Sequence, residues 1–214
     1  FAMIKDTYIK GVATGGGGSV GAKLMKTGQR TSYATGDDGD IEAGREVDFF
    51  TLASNNPFGN TNRFTDYLGG QSYSIGVLVD WSTYDGSTVL GYSGAYNSNT
   101  YNVTWEDCIT AANGHSEGSY ISGWRMPNIK EYLNVHNFSV SLGLAYSQWF
   151  NNSFGGVWAR HPQWTSTTSQ LSTSSALYVD GRRHQVTAYS KTTSGRVKGG
   201  FAVRNFTVTG TTLT

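Results

Sequence analysis

Two β-rich apolar runs in residues 77–92, V-L-V-D-W-S-T-Y-D-G-S-T-V-L-G-Y, flank an Asp85-Gly86 pair. Asp-Gly between such runs is a short-loop turn signal, so the segment predicts a β-hairpin. A second hairpin is predicted where Val179 and Val186 bracket Asp180-Gly181, with Arg182, Arg183 and His184 at or near its tip. Residues 202–208 predict a closing strand. Helical patterning occurs twice. In residues 104–114, Thr104 is a good N-cap, Glu106 and Asp107 suit the positive helix end, and Asn113-Gly114 is a stop. In G-W-R-M-P-N-I-K-E-Y-L, residues 123–133, Trp124 ends an extended segment and Pro127 sits where a first-turn proline is tolerated. A helix then follows to Val135 with Ile129, Tyr132 and Leu133 at helical spacing. Residues 139–156 are apolar and aromatic without one clear period.

Composition sharpens this pattern. Of 214 residues 28 are Gly, charged residues supply only 14%, and Trp, Tyr and Phe together supply 14%. The mixture favours a loop-rich, aromatic-cored, β-containing surface protein over a helical cytosolic enzyme. Trp124, Trp158 and Trp164 are read as core packing. The one cysteine, Cys108, lies among Trp105, Ile109 and Ala112 and reads as a small buried apolar residue; alone, it supplies neither an intrachain disulfide nor a cysteine metal cluster. No segment reads as a signal peptide, and none is apolar for long enough to cross a bilayer, so no membrane insertion is expected.

The net charge of +1 gives no global field for nucleic acid, and no nucleic-acid partner is expected. Locally, Asp37, Asp38, Asp40, Glu42, Glu46 and Asp48 form an acidic stretch broken only by Arg45. From Gly181 onward the chain carries Arg182, Arg183, Lys191, Arg196, Lys198 and Arg204 and no acid. Such a basic quarter either meets a polyanion or is a solvated face. Asp37-Asp38-Gly39-Asp40 clusters carboxylates around a glycine, as calcium loops do, and the alternative is a solvated or capping turn. No other cofactor is expected. Residues 1–23 read as an N-terminal arm and Gly-rich linker, with Ile4, Tyr8, Ile9 and Val12 ahead of Gly15-Gly16-Gly17-Gly18, and residues 24–214 as the domain proper.

Several segments occur together in order: K-T-G-Q-R-T-S-Y-A-T-G-D-D-G-D-I-E-A-G (26–44), R-F-T-D (63–66), T-W-E-D-C-I-T-A-A-N (104–113), G-W-R-M-P-N-I-K-E-Y-L (123–133), W-T-S-T-T (164–168), A-L-Y-V (176–179) and A-V-R (202–204). Residues 24–206 thereby resemble the C-terminal domain of the collagen-like adhesin (Lcl) type, a module of bacterial surface proteins and phage structural proteins. The resemblance implies an α+β, C-type-lectin-like fold, with two short helices packed on a twisted antiparallel sheet and long loops on one side. Formylglycine-generating oxidases have a distantly related fold, but their chemistry uses paired redox-active cysteines, which one cysteine cannot form.

No hydrolytic triad motif appears, and His115, His136, His161 and His184 lack zinc-binding spacing. A non-enzymatic role is expected. Contact with sulfate, phosphate or carboxylate is assigned to Arg182, Arg183, His184, Lys191, Arg196 and Lys198, and exposed contact with sugar rings to Trp81 and Tyr84 near the first hairpin tip. The functional expectation is an adhesion or receptor-binding module on a cell surface or virion, recognising a host or cell-surface glycan or other polyanion. The alternative is a structural subunit of a phage tail, fibre or capsid decoration, homo-oligomeric, plausibly trimeric, or joined to neighbouring virion subunits through residues 1–22.

Overall fold

The computed structural model describes residues 31–35, 37, 40, 50–52, 54–67, 76–95, 103–136, 162–180, 183, 185–193 and 201–214. The expected N-terminal arm, the aperiodic stretch 139–156 and Trp158 lie outside them. The described part is α+β: mainly antiparallel sheet with two short helices. The strands are β1 (Phe64–Asp66), β2 (Val77–Asp80), β3 (Thr88–Ala95), β4 (Pro162–Ser169), β5 (Ser172–Asp180), β6 (Gln185–Ser190), β7 (Phe201–Thr209) and β8 (Thr212–Leu213); the helices are α1 (Trp105–Asn113) and α2 (Ile129–Asn134). One sheet has the order β1-β2-β3-β7-β8 and the other β4-β5-β6, every neighbour antiparallel.

Both expected hairpins form. β2 pairs with β3 from Val77↔Ser93 to Asp80↔Leu90, and β5 pairs with β6 from Ser175↔Ser190 to Asp180↔Gln185. A third hairpin, β4–β5, carries no glycine or proline in its Gln170-Leu171 turn, which is why no local signal marks it. At the centre of the larger sheet both faces are covered. Leu78, Leu90, Tyr92, Phe201 and Val203 point to one side, where Tyr132, Val135 and Val179 pack on them. Val77, Val79, Val89, Ala202 and Phe206 point to the other, under Cys108, Ala112, Trp124, Met126 and Trp164. Period-two alternation therefore feeds two cores rather than one core and solvent. Cys108, Trp124 and Trp164 are buried, as expected.

Both helices start at capping boxes. The Thr104 hydroxyl accepts from the Asp107 N–H (3.2 Å) while the Asp107 carboxylate accepts from the Thr104 N–H (3.1 Å). Asn128 Oδ1 accepts from the N–H groups of Lys130 and Glu131, and Glu131 Oε2 accepts from the Asn128 N–H. The proline thus precedes the cap instead of occupying the first turn. Its carbonyl accepts from the Ser166 N–H (2.8 Å), tying the corner to β4. Arg125 exchanges backbone hydrogen bonds with Val203 (3.0 and 2.9 Å) and forks onto the Glu131 carboxylate (2.7 and 2.6 Å). The run 123–133 is a clamp between β7, β4 and α2.

Candidate functional site

The basic segment of the sequence does not form one patch. Arg183 stands at the tip of the β5–β6 hairpin with its side chain 71% exposed, its guanidinium 3.8 Å from the Asp180 carboxylate. Lys191 lies past the other end of β6, six strand residues or about 20 Å away. There its Nζ sits 4.2 Å over the Trp105 ring and donates to Thr168 Oγ1 (3.0 Å), while its carbonyl accepts from the Trp105 N–H. Lys191 fastens β6 to the start of α1, which corrects its grouping with the tip residues. Arg182, His184, Arg196 and Lys198 lie outside the described residues.

The hairpin aromatics also separate. A single 3₁₀ turn, Trp81–Thr83, rolls the Trp81 indole inward to 3% exposure. Its N–H donates to Thr65 Oγ1 (2.8 Å), and its ring meets Phe58 and Tyr84 at 5.3 and 6.0 Å. Trp81 is thus a core residue and not an exposed sugar platform. Trp81 joins Val77 and Val79 in the same buried cluster, the side that period-two alternation gives it. Tyr84 stays half-buried, and its hydroxyl donates to the Gly86 carbonyl. At the tip itself, Asp85 accepts from the N–H groups of Thr88 and Ser87, which hold its carboxyl well below the usual carboxylate range.

Asp37 closes a turn. Its carboxylate accepts from the N–H groups of Tyr33 (2.7 Å), Ala34 (3.2 Å) and Asp40 (3.0 Å). The Tyr33 bond contributes most to lowering its pKa. Asp40 is exposed, and Asp38 lies outside the described residues.

A polar group that sequence reasoning missed lies beneath the crossing at residues 115–125. Ser93, fully buried on β3, donates to Glu117 Oε2 and stands 2.7 Å from His115 Nε2. Glu117 Oε1 accepts from the Gly76 N–H (3.0 Å), and the His115 ring meets the Trp124 ring edge-on at 5.4 Å. In a hydrolytic triad the acid orients the imidazole through the nitrogen remote from the nucleophile. Here the carboxylate approaches the same nitrogen as the serine, 3.5 Å from Nε2, and Ser93 is closed to substrate. The group is a satisfied polar cross-link between β3 and the crossing.

On the same sheet face, Arg204 is paired in register with Gly91 and half-buried. Its guanidinium carbon is 4.9 Å from the Tyr120 ring centre and 4.8 Å from that of Phe206. Those two rings meet at 85°, so the cation rests in the corner between them. Burial pushes the Tyr120 phenol up to about 12, and its hydroxyl donates to the Leu213 carbonyl. The only sequence signal for this corner is Gly123, whose φ of +81° disfavours any side chain. No family model matches this chain, and no curated protein matches it either.

Proposed function

We propose that this chain is a non-enzymatic binding module, displayed extracellularly on a cell or virion surface, that recognises a glycan or other anionic polymer through the β5–β6 hairpin. The observation that carries the reading is Arg183: a guanidinium 71% exposed at a hairpin tip, within a sequence that has no acid from Gly181 to the last residue given. An exposed planar cation of this kind suits sulfate and carboxylate groups. The accompanying fold reading is a C-type-lectin-like platform. The element order of hairpin, helix, helix, hairpin and closing strand supports it, as do the sequence segments that resemble the collagen-like adhesin domain. On such a platform specificity lives in loops and tips.

Titration with a sulfated or uronate-bearing polysaccharide is expected to give binding at low salt that weakens as salt screens the contact. The double substitution Arg182→Ala, Arg183→Ala is expected to weaken it roughly tenfold, the scale of one or two charge-assisted hydrogen bonds. Binding that is salt-insensitive and unchanged by the double substitution overturns the assignment.

A second reading, a homo-oligomeric structural subunit of a phage tail, fibre or capsid decoration, is favoured by β6. All of its residues are exposed, its register with β5 is unbroken, and it contains no charge and no proline. Such devices ordinarily protect an edge strand. Because the Lys191 N–H donates to the Ser174 carbonyl, antiparallel alternation turns the N–H and C=O groups of Val186 and Ala188 outward, toward an added strand. Residues 1–22 of a neighbouring subunit are the strand this reading supplies. Ala188→Pro removes one outward donor and leaves the β5 ladder intact. Both it and deletion of residues 1–18 are expected to convert an oligomer to monomer by light scattering. A monomeric parent protein, or an oligomer indifferent to both changes, overturns the reading.

A further inference from the structure

Arg204 is a cation without an anion. Its Nη1 is shut off from solvent and has no acceptor, and no hydrogen bond or ion pair of the described residues engages any of its guanidinium nitrogens. Asp66 Oδ1 and His136 Nδ1 are also enclosed, but those residues interact elsewhere and Arg204 does not. The side chain is nevertheless held: its guanidinium carbon lies 4.9 and 4.8 Å from the Tyr120 and Phe206 ring centres, in the corner that the two near-perpendicular rings make. Contact of this kind restrains the fork of donors that a planar oxyanion meets with two parallel hydrogen bonds.

The enclosed atom is Nη1; Nε and Nη2, the edge that forks onto a carboxylate, are not fully shut off from solvent. Gly123 guards that edge. A Cβ there would stand 3.1 Å from Arg204 Nε, and the φ of +81° itself disfavours a side chain. Glu117 is no counter-ion, since its two oxygens are taken by Ser93 and the Gly76 N–H.

The geometry points to a carboxylate-binding site at Arg204, formed by the Nε/Nη2 edge between Tyr120, Phe206 and Gly123, with a carboxylate-bearing ligand as the class, for which glucuronate and acetate serve as probes. A bound carboxylate neutralises the delocalised charge that Nη1 shares. The site lies on the larger sheet and is independent of the hairpin tip, so it stands or falls separately from the polymer reading given above.

The test follows the Arg204 Nε–H resonance in nitrogen-edited spectra of the full chain. Sodium glucuronate and sodium acetate are titrated against sodium chloride at matched ionic strength, with methyl glucoside as the neutral sugar and sulfate as the tetrahedral anion. A saturable shift with glucuronate and acetate, absent with chloride and methyl glucoside, is expected. Arg204→Lys keeps the charge without the planar fork and is expected to weaken glucuronate binding roughly tenfold, followed by the amide resonances of Tyr120 and Gly123. Gly123→Ala is expected to weaken it with no change in charge; the lysine variant decides if the alanine variant does not fold. No shift, a shift shared by chloride, an Arg204→Lys variant that binds equally well, or sulfate binding as tightly as glucuronate overturns the assignment. Loss of polysaccharide binding in Arg182→Ala, Arg183→Ala with the Arg204 shift intact locates the polymer contact at the tip and leaves this site standing.

Discussion

Replacing Arg63 with alanine lowers the thermal midpoint by about 10 °C, the expected consequence of a loss of roughly 3–5 kcal/mol in a chain of this size. Arg63 and Asp80 are each fully buried, on the segment entering β1 and at the end of β2. The guanidinium donates through Nε to Asp80 Oδ1 (2.9 Å) and through Nη2 to Asp80 Oδ2 (2.7 Å) and to the Asn134 carbonyl at the end of α2 (2.6 Å). Asp80 also accepts from the Ser82 N–H and the Asn134 amide. Removing the arginine leaves a carboxylate in the interior with part of its shell gone, and the uncompensated charge outweighs the lost contact. Asp80→Asn is expected to do similar damage by stranding the guanidinium. The double substitution Arg63→Met, Asp80→Leu is expected to cost less than the sum of the single changes, because neither charge is left alone. Circular dichroism melts of the four proteins check this. Single substitutions that move the midpoint by less than about 2 °C would show that water reaches the pair.

Trp164→Ala has an effect of the same order, about 3–5 kcal/mol, for an apolar reason. The indole is fully buried, packs edge-on against Tyr178 at 6.2 Å, and donates to the Val103 carbonyl (3.3 Å). Its truncation leaves a cavity between β4, α1 and the large sheet and strips a carbonyl of its donor. Trp164→Phe keeps most of the apolar volume and is expected to lose much less. Urea unfolding measures the total. Cys108 supplies a local reading, because it belongs to the same buried cluster and burial pushes its thiol up to about 12. In the parent protein the thiol is expected to resist aromatic disulfide reagents at neutral pH, since the reactive thiolate forms only as pH rises toward that value. In Trp164→Ala, labelling is expected to accelerate at least tenfold; equal rates would mean that the cluster closes over the cavity.

What was legible beforehand followed the range of the signal. Thr104, with Glu106 and Asp107 behind it, announces one helix start, and its capping box forms; the spacing of Ile129, Tyr132 and Leu133 announces the second helix but not its Asn128 cap, which follows the proline expected in the first turn. Asp85-Gly86 and Asp180-Gly181 announce two hairpins, and both form, but the registers, with Asp80 opposite Leu90 and Asp180 opposite Gln185, come only from the structure. Trp81 was misplaced by its closeness to the hairpin tip, although alternation from Val77 and Val79 carries it into their buried cluster. Lys191 was misplaced by distance: its sequence neighbours are basic, but a strand carries it down to α1 and the Trp105 ring.

The candidate anion corner shows the same limit from the other side. Gly123 and Arg204 lie far apart in the sequence, and nothing in either segment relates one to the other. Only the pairing of Arg125 with Val203 brings Gly123 over β7. Tyr120 and Phe206 then flank a guanidinium that no acid among the described residues reaches.

By itself the sequence determined the elements: two hairpins, two helices, a closing strand and an aromatic, cysteine-burying core. Those depend on residues a few positions apart, through backbone hydrogen bonds and side-chain period. Tertiary structure alone decided which cations are engaged and which are not. That depends on whether a carboxylate or a carbonyl from a remote segment arrives within hydrogen-bond reach, as Asp80 does for Arg63 and as none among the described residues does for Arg204.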